Sequence, residues 1–119
     1  MTCVNNQCNG VLEDGSPEFP DLVIGLWTCR GWTLGDMQTT SGPIVITTQL
    51  FDLGAMPGAH TIVTDGYELA DFNMEFERAI TGGTGRYRLA RGVQVQELLG
   101  FTSEPLGVAL SIELNVLGR

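Results

Sequence analysis

The chain has 119 residues, the length of a single domain, and a formal net charge of −8 from 14 acidic against 6 basic residues. Nucleic acids and anionic membrane surfaces attract positive charge, so this balance argues against both as partners. No apolar run approaches the roughly 20 residues that a membrane-spanning helix needs, and residues 1–9 lack the basic and apolar regions of a secretory signal. We therefore expect a cytoplasmic protein.

The cysteines point to the same compartment. Cys3, Cys8 and Cys29 are an odd set and cannot all pair within one chain, so free thiols in a reducing environment are expected. A zinc site made by the three cysteines and His60 is the alternative, but the four-residue gap between Cys3 and Cys8 is not the spacing of a zinc ribbon or finger. No metal and no cofactor is predicted.

The first half of the chain is read as a polar tail followed by short strands. Residues 1–21 are rich in Asn, Gly, Pro and acid, which predicts an N-terminal tail or loop before a single domain at 22–119. Runs of β-branched and aromatic residues predict strands at 22–32, 44–51, 60–64 and 67–73. Asp65 and Gly66 lie between two apolar runs and predict a hairpin turn.

The second half alternates between apolar and polar residues. Residues 74–81 place Met74, Phe76, Arg78 and Ile80 on one side of a strand. Glycines at 82, 83 and 85 predict a tight turn, and a strand is expected over 86–101. One side of that strand is apolar except for an arginine, and it comprises Tyr87, Leu89, Arg91, Val93 and Val95. A last strand is predicted at 108–117, and a helix is a weak alternative only at 68–76.

Six or seven short strands with glycine-rich turns predict an all-β, antiparallel protein, either a barrel or a sandwich. Closure into a barrel is favoured because it removes the exposed edges of apolar strands.

Two segments resemble a known family. Residues 80–92, Ile-Thr-Gly-Gly-Thr-Gly-Arg-Tyr-Arg-Leu-Ala-Arg-Gly, and residues 112–116, Ile-Glu-Leu-Asn-Val, resemble the signature of dirigent proteins and their relatives in the allene oxide cyclase barrel superfamily. The resemblance implies an eight-stranded closed antiparallel barrel with a central apolar cavity, a hydrophobic small-molecule substrate and assembly as a homo-oligomer, either a dimer or a trimer. Members of the superfamily control the stereochemistry of coupling or ring-closing reactions of hydrophobic molecules bound inside the barrel.

Departures from the family narrow the function. Dirigents that form pinoresinol tend to carry an acid directly after the glycine turn, where this chain has Arg86, and the first family strand has no counterpart before Leu22. The resemblance therefore favours the bacterial natural-product cyclases of this fold. We expect a cofactor-independent, stereocontrolling cyclase that folds a linear polyketide or polyene and promotes ring closure, such as a Diels–Alder type cycloaddition. The alternative is a non-catalytic dirigent-like or ligand-binding barrel.

Arg91 is the leading catalytic candidate. It matches the arginine of the family's Ala-Arg-Gly, and a guanidinium in an apolar cavity must meet a carboxylate or a substrate oxygen. Polarisation of a substrate oxygen and an ion pair with Asp71 or Glu113 are equally compatible with the pattern. Tyr67 and Asp71 share a face and are candidates for hydrogen bonds to the substrate. Arg78 is interpreted as structural, reaching solvent near a strand end.

The predicted substrate-binding wall consists of inward apolar residues, namely Trp27, Met74, Phe76, Ile80, Tyr87, Leu89 and Val93. No nucleophile elbow and no Walker loop is present, and the glycine turn lies between strands, so it lacks the helix that would bind phosphate. A cyclase needs little acid–base chemistry if it holds its substrate in a reactive conformation.

Overall fold

The computed structural model of the chain describes residues 16–103 and 106–117. It contains six strands: β1 (Leu26–Thr33), β2 (Pro43–Asp52), β3 (Thr61–Leu69), β4 (Glu75–Gly83), β5 (Arg91–Ser103) and β6 (Leu106–Leu117). Two single turns of 3-10 helix, Pro20–Leu22 and Gly85–Tyr87, lie before β1 and between β4 and β5. The predicted tail at residues 1–21 falls mostly outside the described residues.

The six strands form one antiparallel sheet in the order β1-β2-β3-β4-β5-β6. The prediction of an all-β antiparallel protein is confirmed. Within the described residues β1 and β6 are the two edges and do not pair, so the sheet does not close into a barrel there. The expected eight-stranded closure is therefore not observed.

The sheet nevertheless curls strongly toward one face. The Gln49 side chain on β2 donates a hydrogen bond of 2.8 Å to Gln96 on β5, across the space spanned by β3 and β4. Trp27 on β1 and Val108 on β6 line the same cavity. The first and last strands therefore face each other across a common interior, which is the space where the candidate site lies.

A polar segment and an apolar segment divide this interior. At one end Ile62, Ile80 and Ala90 are buried and form the hydrophobic core. Partly buried apolar side chains pack around them, namely Phe51, Leu53, Tyr87, Leu114 and Val116. At the middle of the sheet the fully buried large side chains are instead polar, namely Arg78, Gln49, Gln94, Gln96 and Thr64.

The predicted hairpin at Asp65 and Gly66 is wrong, because β3 runs through both residues without turning. Asp65 pairs with Thr48 on β2 and with Ala79 on β4, and its carboxylate accepts hydrogen bonds from the Thr48 and Thr81 hydroxyls at 2.5 and 3.1 Å. A Cβ at Gly66 would lie 3.2 Å from Cγ of Arg78, so glycine here makes room for the arginine inside the sheet.

The turn predicted at Gly82, Gly83 and Gly85 begins later than expected, because β4 runs through Gly83, and the following strand also starts later. Gly85 has a φ of +59°, and the next residues form the 3-10 helix at Gly85–Tyr87. The Thr84 hydroxyl donates to the Gly58 carbonyl at 2.7 Å, and the Arg86 amide donates to Nδ1 of His60 at 3.1 Å. These bonds hold the turn against the β2–β3 connection, so β5 begins only at Arg91. The alternative helix at 68–76 is also wrong, since β3 ends and β4 begins within it.

Candidate functional site

The centre of the interior holds a buried arginine. Arg78 on β4 is 2% exposed, and its guanidinium donates to the hydroxyl and carbonyl of Thr47 at 2.8 and 2.9 Å and to the carbonyl of Tyr67 at 3.0 Å. Longer bonds of 3.4 Å reach the hydroxyl and carbonyl of Thr64. Burial lowers the pKa of this guanidinium, while the negative charge of Glu68 acts in the opposite direction. All three guanidinium nitrogens have acceptors, which is the condition for burying such a charge.

Glu68 on β3 balances the arginine. Its Oε1 lies 3.3 Å from Nη1 of Arg78, and this is the ion pair found within the described residues. The same oxygen accepts hydrogen bonds from the Thr47 hydroxyl at 2.9 Å and from Nε2 of Gln49 at 2.6 Å. Oε2 accepts from Nε2 of Gln96. The carboxylate is therefore fixed in position by donors from β2, β4 and β5.

Three glutamines complete the network. Nε2 of Gln94 donates to Oε1 of Gln49 and to Oε1 of Gln96, both at 2.9 Å. The indole Nε1 of Trp27 donates to Oε1 of Gln49 at 3.1 Å, which ties β1 to the same cluster. Oε1 of Gln94 is the one buried side-chain atom of the described residues without a partner. The connected amides explain why β5 turns its glutamines inward.

An apolar cavity of about 190 Å³ borders this network. Its wall consists of Trp27, Cys29, Ile44, Glu68, Leu69, Gln96, Leu98, Val108 and Leu110. Glu68 and Gln96 are the polar end of a space that is otherwise lined by aliphatic, aromatic and thiol groups. An apolar space with a few fixed polar groups is the usual form of a small-molecule site.

Cys29 on β1 lies beside the carboxylate. Its Sγ is 4.0 Å from Oε1 of Glu68. Partial burial raises the pKa of the thiol, and the charge of Glu68 raises it further, whereas a hydrogen bond with the Thr47 side chain and the charge of Arg78 act to lower it. The Cys29 thiol is part of the cavity wall beside Glu68.

The structure corrects the predicted orientation of β5. Arg91 is exposed, and its Nη1 donates to the carbonyl of Ala90 at 2.7 Å, with no contact to Asp71 or Glu113 among the described ion pairs. Val93 shares this outer face, whereas Gln94 and Gln96 face inward. A strand with alternating residues can bury either of its two faces. In β5 the glutamine face is buried, because the interior already contains a charge pair to which amides can hydrogen-bond.

The other two predicted catalytic residues also lie outside the cavity wall. Tyr67 is 51% exposed and contributes its backbone carbonyl, not its hydroxyl, to Arg78. Asp71 follows the end of β3, and its carboxylate accepts a hydrogen bond of 2.7 Å from the amide of Gly42. That bond fixes the loop before β2. The prediction that the two side chains share one strand face is therefore wrong.

The residues of the predicted binding wall lie in different parts of the structure. Trp27 lines the cavity, and the face predicted for β4 is correct, since Ile80 is buried and Phe76 is half-buried on the side of Arg78. Tyr87 packs on the hydrophobic core from the 3-10 helix. Met74 and Leu89 are 49% and 62% exposed and lie outside regular strands.

The sequence did not predict the cavity residues Glu68, Gln96 and Cys29, or the buried amides Gln49 and Gln94 behind them. A partial signal existed, because polar side chains alternate with valines along 92–97, but only a known interior charge would have shown which side was buried. Arg78 was placed on the correct face, but its predicted access to solvent is wrong.

Two further recesses exist in the described structure. One of about 650 Å³ involves Arg30, Trp32 and Ile46, whose side chains alternate away from the interior, and one of about 530 Å³ lies against the inner face of β6 near Leu114 and Val116. Neither borders the buried charge pair.

Of the residues in the alternative zinc site, His60 contacts the turn at Arg86, and Cys3 and Cys8 lie outside the described residues.

Comparison with known proteins adds no relative: no family model, no curated protein and no solved structure matches the chain. Among the described residues no helix is long and apolar enough to cross a membrane. The function must therefore be argued from the site itself.

Proposed function

We propose that this protein is a cofactor-independent cyclase of secondary metabolism, which holds a linear hydrophobic polyketide or polyene in the curved sheet and promotes its ring closure. The observation that carries the proposal is the apolar cavity between β1 and β6, whose single charged group, Glu68, is fixed by hydrogen bonds. A Diels–Alder type closure converts three π bonds into two σ bonds and one π bond, and no proton or electron pair is added or lost. Such a reaction needs a shaped, dry space more than it needs an acid and a base.

The residues of the cavity would act by positioning. Trp27, Leu98 and Leu110 would press the chain of the substrate into a folded conformation, and the fixed end at Glu68 and Gln96 would set its direction. Arg78 touches no cavity space and acts through Glu68, as a positioning residue. Holding the reacting ends together can supply about 7–11 kcal/mol of a barrier.

The size of the cavity limits what lies inside it. Small-molecule sites usually enclose about 300–1,000 Å³, and this one encloses about 190 Å³. One ring-sized part of a substrate would fit, and the rest would follow the opening between β1 and β6. We propose that the complete sheet is an eight-stranded closed barrel, whose further strands pair with these two edges. The strong curl of the described sheet supports this closure.

A homo-oligomer, either a dimer or a trimer, in the cytoplasm is part of the same proposal. All eight residues of β1 are exposed, and they include Leu26 at 65% and Trp32 at 79%. An apolar edge strand of this kind is normally covered in the working protein. The odd number of cysteines suits a reducing compartment.

The test is turnover of linear polyenes that carry a diene and an alkene, with the stereochemistry of the product followed by chiral chromatography. We expect faster closure and one dominant stereoisomer with the native chain. Leu110→Trp fills the cavity and should abolish both effects. Leu99→Trp, a matched change of a residue that is 48% exposed, should retain them. Equal rates with and without protein, for substrates that bind, would contradict the cyclase.

The second candidate is a non-catalytic, dirigent-like binding barrel. It is favoured by the size of the cavity, since about 190 Å³ encloses one ring-sized group but not a whole linear substrate that must fold before closure. This candidate predicts that polyenes bind, that Leu110→Trp removes the binding, and that the bound molecule is released unchanged.

A further inference from the structure

We propose that the ligand of this cavity is an uncharged apolar molecule carrying a hydroxyl group, and that Oε2 of Glu68 accepts the hydrogen bond of that hydroxyl. The inference rests on the proposed function, because it names the chemistry of the molecule that the same cavity binds.

The two oxygens of Glu68 differ in how many donors they meet. Oε1 accepts from the Thr47 hydroxyl, from Nε2 of Gln49 and from Nη1 of Arg78, at 2.6–3.3 Å. Oε2 accepts from Nε2 of Gln96 alone among the described residues. A carboxylate offers about four lone-pair sites, so Oε2 retains one for a further donor. The Glu68 side chain is 19% exposed, so its carboxylate is not fully sealed inside the protein.

The cavity that Glu68 borders selects an apolar ligand. Apart from Glu68, Gln96 and the Cys29 thiol, the wall is hydrocarbon: Trp27, Ile44, Leu69, Leu98, Val108 and Leu110. An engineered aliphatic cavity of about 150 Å³ stays dry and binds benzene. The present cavity, of about 190 Å³, therefore fits a ring-sized group with one polar substituent.

Charge excludes the alternatives to a hydroxyl. A carboxylate ligand would bring a second negative charge beside Glu68, and Arg78 cannot neutralise it because its nitrogens are already bonded inside the sheet. A ketone has no hydrogen to donate and would place its oxygen against the carboxylate. A protonated amine would lose its hydration while Glu68 is already paired. A neutral hydroxyl can donate one hydrogen bond to the carboxylate, and its desolvation costs far less than that of a charged group.

The experiment uses the Trp32→Phe chain, in which Trp27 is the only tryptophan and lies in the cavity wall. Its fluorescence is titrated with cyclohexanol, cyclohexanone, cyclohexylamine and cyclohexanecarboxylate. A hydrogen bond to a charged group is worth roughly 1.5–3 kcal/mol, so we expect cyclohexanol to bind about tenfold or more tightly than cyclohexanone. The carboxylate and the amine should bind more weakly than the alcohol. Equal or tighter binding of any of the other three compounds would overturn the inference.

Two variants distinguish the contribution of the hydrogen bond at Glu68 from the contribution of the apolar cavity to binding. Glu68→Gln places an amide donor at the same point, so the preference for alcohol over ketone should narrow or reverse. Leu110→Trp leaves Glu68 in place and should remove the binding of all four compounds, and it keeps the test decisive if Glu68→Gln does not fold. Preference for the ketone would refute the hydroxyl while leaving the proposed cyclase intact. If none of the four compounds shows binding that Leu110→Trp removes, both the hydroxyl inference and the proposed cyclase are refuted.

Discussion

Arg78 shows how one side chain decides the character of this interior. A guanidinium with 2% exposure requires acceptors on every nitrogen, and Thr47, Thr64, Tyr67 and Glu68 provide them. Once this pair is buried, neighbouring positions favour amides that can continue the hydrogen bonds. The polar middle of the sheet therefore follows from one arginine on an otherwise apolar strand face.

Removal of this arginine should be costly. Breaking a buried ion pair by deleting one partner typically costs about 3–5 kcal/mol, so Arg78→Met should lower the free energy of unfolding by that amount in urea denaturation. The matched change Arg91→Met affects an exposed guanidinium and should stay within about 0.5 kcal/mol. Equal losses for the two variants would show that Arg78 does not hold the interior.

The pH dependence of Cys29 alkylation reports on the charge of Glu68 beside the thiol. In a chain with Cys3→Ser and Cys8→Ser, the rate of alkylation against pH should report a pKa above the usual thiol value, mainly because of burial. Glu68→Gln removes the nearby negative charge and should shift that profile to lower pH. Glu77→Gln, a change of an exposed carboxylate on β4, should leave it in place. An unchanged profile in Glu68→Gln would contradict the contact.

At the level of elements, the sequence predicted the strands better than their orientation. The face of β4 was predictable because Met74, Phe76 and Ile80 oppose glutamates. The buried face of β5 could not be predicted in the same way, since residues that suit a strand occur on both of its sides. Only the position of Arg78, opposite Gln94 on β5, decides between them. The turn at Asp65 and Gly66 failed for a similar reason, because glycine there serves packing across the sheet and not a reversal of the chain.

Gly85, in the turn between β4 and β5, is less replaceable than Gly35, which lies between β1 and β2. A Cβ at Gly85 would lie 2.0 Å from the Ala59 carbonyl and 2.3 Å from Nδ1 of His60, and φ is +59°. At Gly35 φ is +79° but nothing lies within 4 Å. Gly35→Ala should therefore cost only the roughly 1–2 kcal/mol of left-handed backbone, and Gly85→Ala clearly more, as measured by urea midpoints. Equal costs would contradict the close packing of this turn on the β2–β3 connection.

On the scale of the whole molecule, the main unexplained feature of the described residues is an exposed apolar surface along and before β1. Large apolar side chains stand exposed along and before this strand, including Leu22, Val23, Ile24, Leu26 and Trp32. An exposed apolar surface of this kind is a candidate interaction site. The proposed oligomer would cover it.

The oligomer is testable in solution. We expect the native chain to sediment as a dimer or trimer, and Trp32→Lys to shift the equilibrium toward the monomer because it places a charge in the covered surface. Leu89→Lys, at a residue that is 62% exposed in the β4–β5 connection, should have no such effect. A native chain that remains monomeric at all concentrations would contradict the proposal.

The proposed binding site lies in the interior beside Glu68 and not on the outer face of β5. The most direct test is a two-dimensional NMR spectrum of the labelled chain, titrated with sorbyl alcohol, a short linear diene that carries a hydroxyl. We predict that the shifted signals cluster at Trp27, Glu68, Gln96, Leu98 and Leu110, which line the cavity. Shifts confined to Arg91 and Val93, or to the recess at Trp32 and Ile46, would contradict it.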